Sequence, residues 1–466
     1  MKLRNWQRDC VAKAHEHFKT NSNHFLCLAT PGAGKTVMAA QLAKELYETK
    51  KIDLVLCFSP SISVARNMQS TFERLTNKRF DGKVGALGCS YTYQSMINLC
   101  RDFWDIFETY KVLVVFDEIH HCGGSSYEDA NRWGQEIIVN IKEQATYSLA
   151  MTGTPWRSDQ SAIVLSQYQN NSQKIECHYT YGLREAINDK VCRKPTMVLI
   201  DNECILLTEN DSTTKEYSSL QRLIVDSGIR YEDIIYSVET LRYILGRACS
   251  KLSEIRNVNP LAGGLIVASS VRHAELVCEL IRNAFNQSAV MVSYQHKNSA
   301  QTISQFRNNN VQWIVSIGMV SEGTDIPRLQ VCCHLSRIRT ELYFRQVLGR
   351  ILRTNQFDNQ EAWLFTICDP DLEKYAKRIE EEVPEAPVIF EKVRKPSSIN
   401  QLDAVTGPTD EKPTLLFSNE YLTHGDSTAP LHSSEQVAPF ASETQRTISI
   451  LGGFREQVIE TFNSPF

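Results

Sequence analysis

Five short apolar runs punctuate the first 200 residues: "HFLCLAT", "DLVLCFS", "KVLVVFD", "TYSLAMT" and "TMVLI". Near-continuous apolar runs of this length predict strands buried on both faces of a parallel sheet. The segments between them are amphipathic. Met38, Leu42 and Leu46 recur every four residues and give one predicted helix a single apolar face. Residues 205–258 differ: "SLQRLIVDSGIRYEDIIYSVETLRYILGRACSKL" predicts helices with no strand between them. A second strand–helix series follows, through "GGLIVASS", "VQWIVSI", "VCCHLS" and "AWLFTI". From residue 395 the chain is rich in Ser, Thr, Asn, Gln, Glu and Pro, which predicts a loosely ordered tail. Its last stretch, "ISILGGFREQVIETF", is expected to form a short docking helix. The pattern divides the chain into an α/β domain (1–204), a helical connector (205–258), a second α/β domain (259–394) and a polar tail (395–466).

Composition narrows the possible partners. The 466 residues suffice for two or three domains, with 42% hydrophobic and 22% charged residues. A net charge of −4 and a pI of about 6.3 mean that any nucleic-acid surface must be local. The 14 cysteines contain no C-x-x-C pair. "VCCH" and "HHC" lack the paired spacing of a structural zinc site, so buried free thiols in a reducing compartment are expected. "MKLRNWQRDC" has no apolar signal core, and no run of eighteen or so apolar residues occurs. The expected location is the cytoplasm, with no membrane partner.

Chemistry first shows in "LATPGAGKTVMAA" (28–40), where a strand runs through a glycine turn into a helix. Backbone amides of Pro31–Gly34 (Gly32, Ala33 and Gly34 supply N–H groups) can close on an anion, and the helix dipole favours negative charge there. Lys35 then reaches the terminal phosphates of a nucleotide, and the Thr36 hydroxyl can hold Mg²⁺. This is a P-loop with Ala29 in place of its first glycine. In "VLVVFDEIHH" (112–121), an apolar strand delivers Asp117 and Glu118 to its C-terminal edge, where open α/β sheets hold ligands. Asp117 suits Mg²⁺, and Glu118 suits orienting or deprotonating an attacking water.

"ATPGAGKT", "DEIH", "TGTPWR" and "EGTDIP…RQVLGRILR" together resemble, in order and spacing, five motifs of superfamily 2 helicases over residues 1–370. "DEIHHC", "TGTPWRSD" and "TELYFRQVLGR" are most similar to RadD-like helicases and the motor parts of type I and III restriction enzymes. The resemblance implies two RecA-like P-loop NTPase domains with ATP and Mg²⁺ bound between them. It makes Gln7 of "LRNWQ" the adenine-reading side chain, whose amide offers a donor and an acceptor. It makes His120, Thr152, Thr154 and Gln346 a coupling set between nucleotide and nucleic acid, with His121 either coupling or structural. In "SEGTDIP", Gly323 and Asp325 serve the nucleotide and Thr324 the strand. In "FRQVLGRILR", Gln346, Arg350 and Arg353 share one face if the segment is helical, and the arginines would meet phosphoryl charge. Arg345 is expected at the surface. Nucleic-acid contacts implied by the resemblance are Ser59–Pro60, Thr92, Gln94, Arg157, Ser269 and Ser270, gripping phosphates without reading sequence.

The expected activity is an ATP-dependent helicase or translocase acting on nucleic acid, DNA before RNA, in repair or defence against foreign DNA. No nuclease motif is present, so a protein partner such as a nuclease would supply any cleavage. The alternative is an ATP-gated nucleic-acid-binding subunit that switches shape without unwinding.

Overall fold

A computed structural model describes residues 2–20, 22–169, 174–208, 213–293, 295, 298–318, 326–355, 360–379 and 447–462. The predicted Gly323, Thr324 and Asp325 lie outside the described residues, as does most of the polar tail.

The first sheet contains β1 (His24–Ala29), β2 (Leu54–Ser59), β3 (Gly88–Thr92), β4 (Val112–Asp117) and β5 (Tyr147–Thr152). After the short ribbon β6 (Gln167–Tyr168) and β7 (Ile175–Glu176), β8 (Tyr179–Tyr181) completes it. Its order is β3-β2-β4-β5-β1-β8, and every pairing is parallel. β4 is buried along its whole length, because helices cover both faces. Met38, Leu42 and Leu46 of helix Lys35–Glu48 are fully buried, as their spacing predicts.

The second sheet contains β9 (Lys194–Asn202). Next along the chain come β10 (Ile205–Thr208) and β11 (Thr214–Tyr217), which lie outside that sheet. It continues with β12 (Gly263–Ala268), β13 (Ala289–Val292), β14 (Trp313–Ser316), β15 (Leu329–Leu335) and β16 (Glu361–Ile367). The last two strands are β17 (Thr447–Ile450) and β18 (Phe454–Glu460). The sheet order is β13-β14-β12-β15-β16-β9-β18, parallel except for β18. Each sheet with its helices is called a lobe below. One continuous apolar cluster runs from the β1 side of lobe one through Val191 and Cys192 into lobe two.

Three expectations are corrected. The run "TMVLI" belongs to the second sheet, as part of β9 between β16 and β18; a buried apolar strand looks the same whichever sheet it joins. The connector opens with strands, since β10 pairs with β11 and β17, and only then forms helices Leu220–Ser227, Tyr231–Ile235 and Val238–Val258. The stretch 448–462 forms strands, not a helix. β-branched residues and the Gly452–Gly453 break disfavour a helix. Phe454, Glu456 and Ile459 are half-buried between exposed neighbours, and Phe454 stacks on Tyr243 at 4.3 Å between ring centroids. Among the described residues, no helix is long and apolar enough to cross a membrane.

Candidate nucleotide site between the lobes

The chemistry-bearing turns gather at the C-terminal edge of the first sheet, because β1, β4 and β5 are parallel neighbours. Gly32 and Gly34 hold φ of +84° and +91°, angles that a side chain resists. Lys35 begins the following helix and is 9% exposed. Its Nζ lies 3.0 Å from Glu118 Oε1 and donates to the Ala29 carbonyl at 3.2 Å.

Glu118 follows β4 with a left-handed φ of +51°, a sparsely populated conformation for a non-glycine residue that persists only where neighbours hold it. Here its Oε2 accepts from the Gly153 amide at 3.1 Å and the Thr152 hydroxyl at 3.3 Å. Burial opposes ionisation of Glu118, but Lys35, then His120 and the Gly153 amide, outweigh it and hold the pKa at about 2. The side chain is therefore an anion aimed at the P-loop lysine.

Asp117 behaves oppositely. Its carbonyl accepts from the Tyr93 hydroxyl at 2.9 Å, but its Oδ1 is buried without a hydrogen-bond partner among the described residues. Burial, then the Glu118 charge, pushes its pKa up to about 7 against the pull of Lys35. A buried carboxylate oxygen left unsatisfied suits a hard divalent cation. Asp117, with Thr36 on the first helical turn, fits Mg²⁺.

Three of the four predicted coupling residues meet, while Gln346 lies on the lobe-two helix Glu341–Ile351. His120 Nδ1 lies 2.9 Å from Thr152 Oγ1 and 3.4 Å from Thr154 Oγ1. Burial, then His121, pulls the His120 pKa well below its usual value, so the ring is neutral and serves as a hydrogen-bonding link. At the N-terminus, Gln7 Nε2 donates to the Gly34 carbonyl at 2.9 Å, and Arg4 Nη1 donates to the Ala33 carbonyl at 2.7 Å. Sequence reasoning missed Arg4 and Tyr93, although Arg4 sits inside the quoted "LRNWQ".

Lobe two closes on this loop. A Cβ on Gly349 would stand 2.7 Å from Pro31 Cβ, and one on Gly32 would stand 3.1 Å from Arg353 Cγ. Gln346 and Arg350 lie on helix Glu341–Ile351. Arg353 lies beyond the end of that helix, which corrects the all-helical expectation: its backbone pairs with Cys192 in an antiparallel bridge. Arg345 is not a surface residue either. It stacks on the Trp156 ring at 5.2 Å and pairs with Glu341 at 2.9 Å, because the lobe-one turn covers it.

The predicted nucleic-acid residues are dispersed. Pro60 follows β2, Thr92 ends β3 and Gln94 lies just beyond it, exposed. Thr92 caps the next turn through the Ser95 amide at 3.1 Å. Across the cleft, Ser269 Oγ lies 3.0 Å from His273 Nδ1, and Ser270 Oγ lies 2.5 Å from the Tyr236 hydroxyl. Arg157 donates to the His120 carbonyl at 2.7 Å, to Ser161 at 2.8 Å and to Asp159 at 2.7 Å. Its guanidinium thus ties "TGTPWR" to "DEIH".

Comparison with known proteins bears on the family and the fold. Residues 1–157 match the family described as type III restriction enzyme, res subunit, and residues 248–355 match the helicase conserved C-terminal domain. An uncharacterized protein of Mycobacterium tuberculosis is 29% identical over 393 residues, covering 81% of this chain and 63% of that protein. A Schizosaccharomyces pombe protein, provisionally named mitochondrial ATP-dependent helicase irc3, is 21% identical over 382 residues, covering 79% and 58%. The chain thus spans less than two thirds of these relatives' length. In fold, it resembles a fragment provisionally named as an HsdR subunit of a type I restriction enzyme from Vibrio vulnificus. The TM-score is 0.57 at 16% identity, covering 82% of this chain and 67% of that one.

Proposed function

We infer that this chain, which belongs to the superfamily 2 helicases, is an ATP-driven motor on nucleic acid. The observation that carries the reading is the meeting of Arg353 with Gly32 of the P-loop, on the lobe-one edge that also holds the Lys35–Glu118 pair. An arginine of lobe two thus stands beside the loop whose own lobe carries Lys35, residue types that suit the charge of phosphoryl transfer.

In this reading the P-loop amides and Lys35 bind the phosphates of ATP, and Gln7 and Arg4 turn from the loop carbonyls to the base. Thr36 and Asp117 would hold Mg²⁺, which when bound would neutralise phosphate charge. Glu118 exchanges its ion pair with Lys35 for a water, which it orients toward the γ-phosphate. Arg350 and Arg353 stabilise the charge that spreads over the transferring group. Thr152, Thr154 and His120 carry the resulting shift to Arg157 and the candidate groove of Pro60, Thr92, Gln94 and Ser269. Alternating grip on the backbone then moves the protein along a strand. DNA is the favoured track, in repair or in defence against foreign DNA, on the likeness to restriction-enzyme motor subunits; a partner nuclease supplies any cleavage.

The test is ATP hydrolysis with no polymer, single-stranded DNA, duplex DNA, forked DNA and RNA. Stimulation by DNA with loss of turnover in Lys35→Ala is expected. Normal turnover in Lys35→Ala overturns the site, stimulation by RNA alone overturns the track, and turnover without strand displacement or translocation favours the ATP-gated switch.

A further inference from the structure

The linker between the lobes runs through Val191, Cys192 and Arg193 and belongs to none of the motifs above. Arg193 is fully buried. Its Nη1 donates to the carbonyls of Leu329 at 2.6 Å and Ile351 at 3.2 Å, and its Nη2 to that of Pro327 at 3.0 Å. Nε donates to Gln360 Oε1 at 3.3 Å, and the backbone N–H donates to the Leu352 carbonyl at 2.7 Å. Thr354 Oγ1 donates to the Val191 carbonyl at 3.3 Å. On its other side the linker touches the P-loop, with Cys192 Sγ 3.6 Å from the Pro31 carbonyl.

These contacts have one theme. Ile351 is the last residue of helix Glu341–Ile351, whose final carbonyls have no partner within the helix and whose dipole favours a cation. Pro327 ends the "EGTDIP" segment, and Leu329 begins β15. A planar guanidinium can bond three carbonyls on two separate backbone segments at once; a lysine head has no such fork. Burial presses the Arg193 pKa down to about 9, which leaves it charged at neutral pH.

We propose that Arg193 is a positioning residue for ATP hydrolysis: it fixes where the arginine-bearing helix ends, and so holds Arg353 beside the P-loop and sets where Arg350, next to Gly349, stands. The proposal rests on the ATPase reading above. Arg193 touches no substrate; it acts through the two arginines. Its loss therefore lowers turnover while nucleotide binding, carried mainly by lobe one, persists.

The experiment measures kcat and KM for ATP, normalised to sites that bind a fluorescent N-methylanthraniloyl-ATP, at saturating polymer. The variants are Arg193→Met, Arg193→Lys, Arg353→Ala and the double variant Arg193→Met/Arg353→Ala. Arg193→Met is expected to lower kcat per site about tenfold to a hundredfold, with KM changed by less than about threefold. Arg193→Lys should restore part of that loss. The double variant should lose clearly less than the product of the two single losses, since both changes act on one device. Wild-type kcat per site in Arg193→Met overturns the proposal, whatever the melting temperature. So does a loss in the double variant equal to the product of the single losses. If Arg353→Ala itself turns over normally, the arginine assignment falls and takes this proposal with it; slow Arg353→Ala beside normal Arg193→Met removes this proposal alone. If Arg193→Met does not fold, Thr354→Val loosens the same junction. It should lose roughly threefold in kcat per site, and an unchanged kcat overturns the proposal.

Discussion

The nucleotide edge and the candidate nucleic-acid residues both lie at the C-terminal ends of parallel strands, β1, β4 and β5 for the first and β2, β3 and β12 for the second, yet they are built differently. At the nucleotide edge, unlike charges touch: Lys35 lies 3.0 Å from Glu118, while Asp117 is buried with one oxygen unsatisfied among the described residues. At the other edge, Thr92 caps a turn, Ser269 meets His273, and Gln94 stands in solvent. The difference follows from the tasks. Phosphoryl transfer needs charges fixed in advance in a water-poor site, where reorganisation during the reaction would cost rate. Holding a backbone without reading its sequence needs only dipoles and an occasional cation at the surface. Arg157 lies between the two styles, its guanidinium shared among the His120 carbonyl, Ser161 and Asp159.

Substitutions on either edge sharpen this contrast. The largest effect belongs to Glu118→Gln, expected to lower kcat for ATP about 10³-fold as the water-orienting anion is lost. Nucleotide stays bound and filter binding shows tighter hold on the polymer; undiminished turnover would break the assignment. A far smaller effect is expected across the cleft. Gln94→Ala should raise the polymer concentration for half-maximal turnover roughly threefold, the worth of one exposed hydrogen bond. A hundredfold rise would mean that the groove concentrates its energy as the nucleotide site does.

A residue on neither edge provides the control. His334 in β15 is fully buried, with both ring nitrogens lacking a hydrogen-bond partner among the described residues. Burial lowers its pKa from 6.5 to about 4. The unfolded chain therefore binds a proton that the folded chain refuses, so stability is full above pH 6.5 and falls as the pH drops toward 4. Linkage gives about 2 kcal/mol between pH 7 and 5. Urea unfolding of the wild type and His334→Leu at both pH values checks this, the variant being expected to lose that part of the slope.

The legibility of the molecule tracks these physical differences. Lys35, Asp117, Glu118, Thr152 and Thr154 were readable because their turns follow apolar strands, and the structure gathers all five at one edge. Arg353 lies beside Gly32 of the P-loop, but beyond the end of the helix that a shared face would require. The helix ends at Ile351 because the linker pairs with residues 352–354, a contact between segments about 160 positions apart that no local pattern encodes. Arg345 was misread for a related reason: helical spacing tells which face a residue occupies, not which lobe covers that face.

By itself, then, the sequence determined the two strand–helix series, the glycine turn that starts one helix, and the identities of the charged residues at the strand ends. These depend on short-range rules: apolar periodicity, backbone freedom at glycine, and the charge that phosphate demands. Tertiary structure alone decided that "TMVLI" joins the second sheet, that residues 447–462 return as strands, and that Arg193 bonds three distant carbonyls. Apolar runs carry no label for their partners, and a buried guanidinium is tolerable only where folding brings enough acceptors around it.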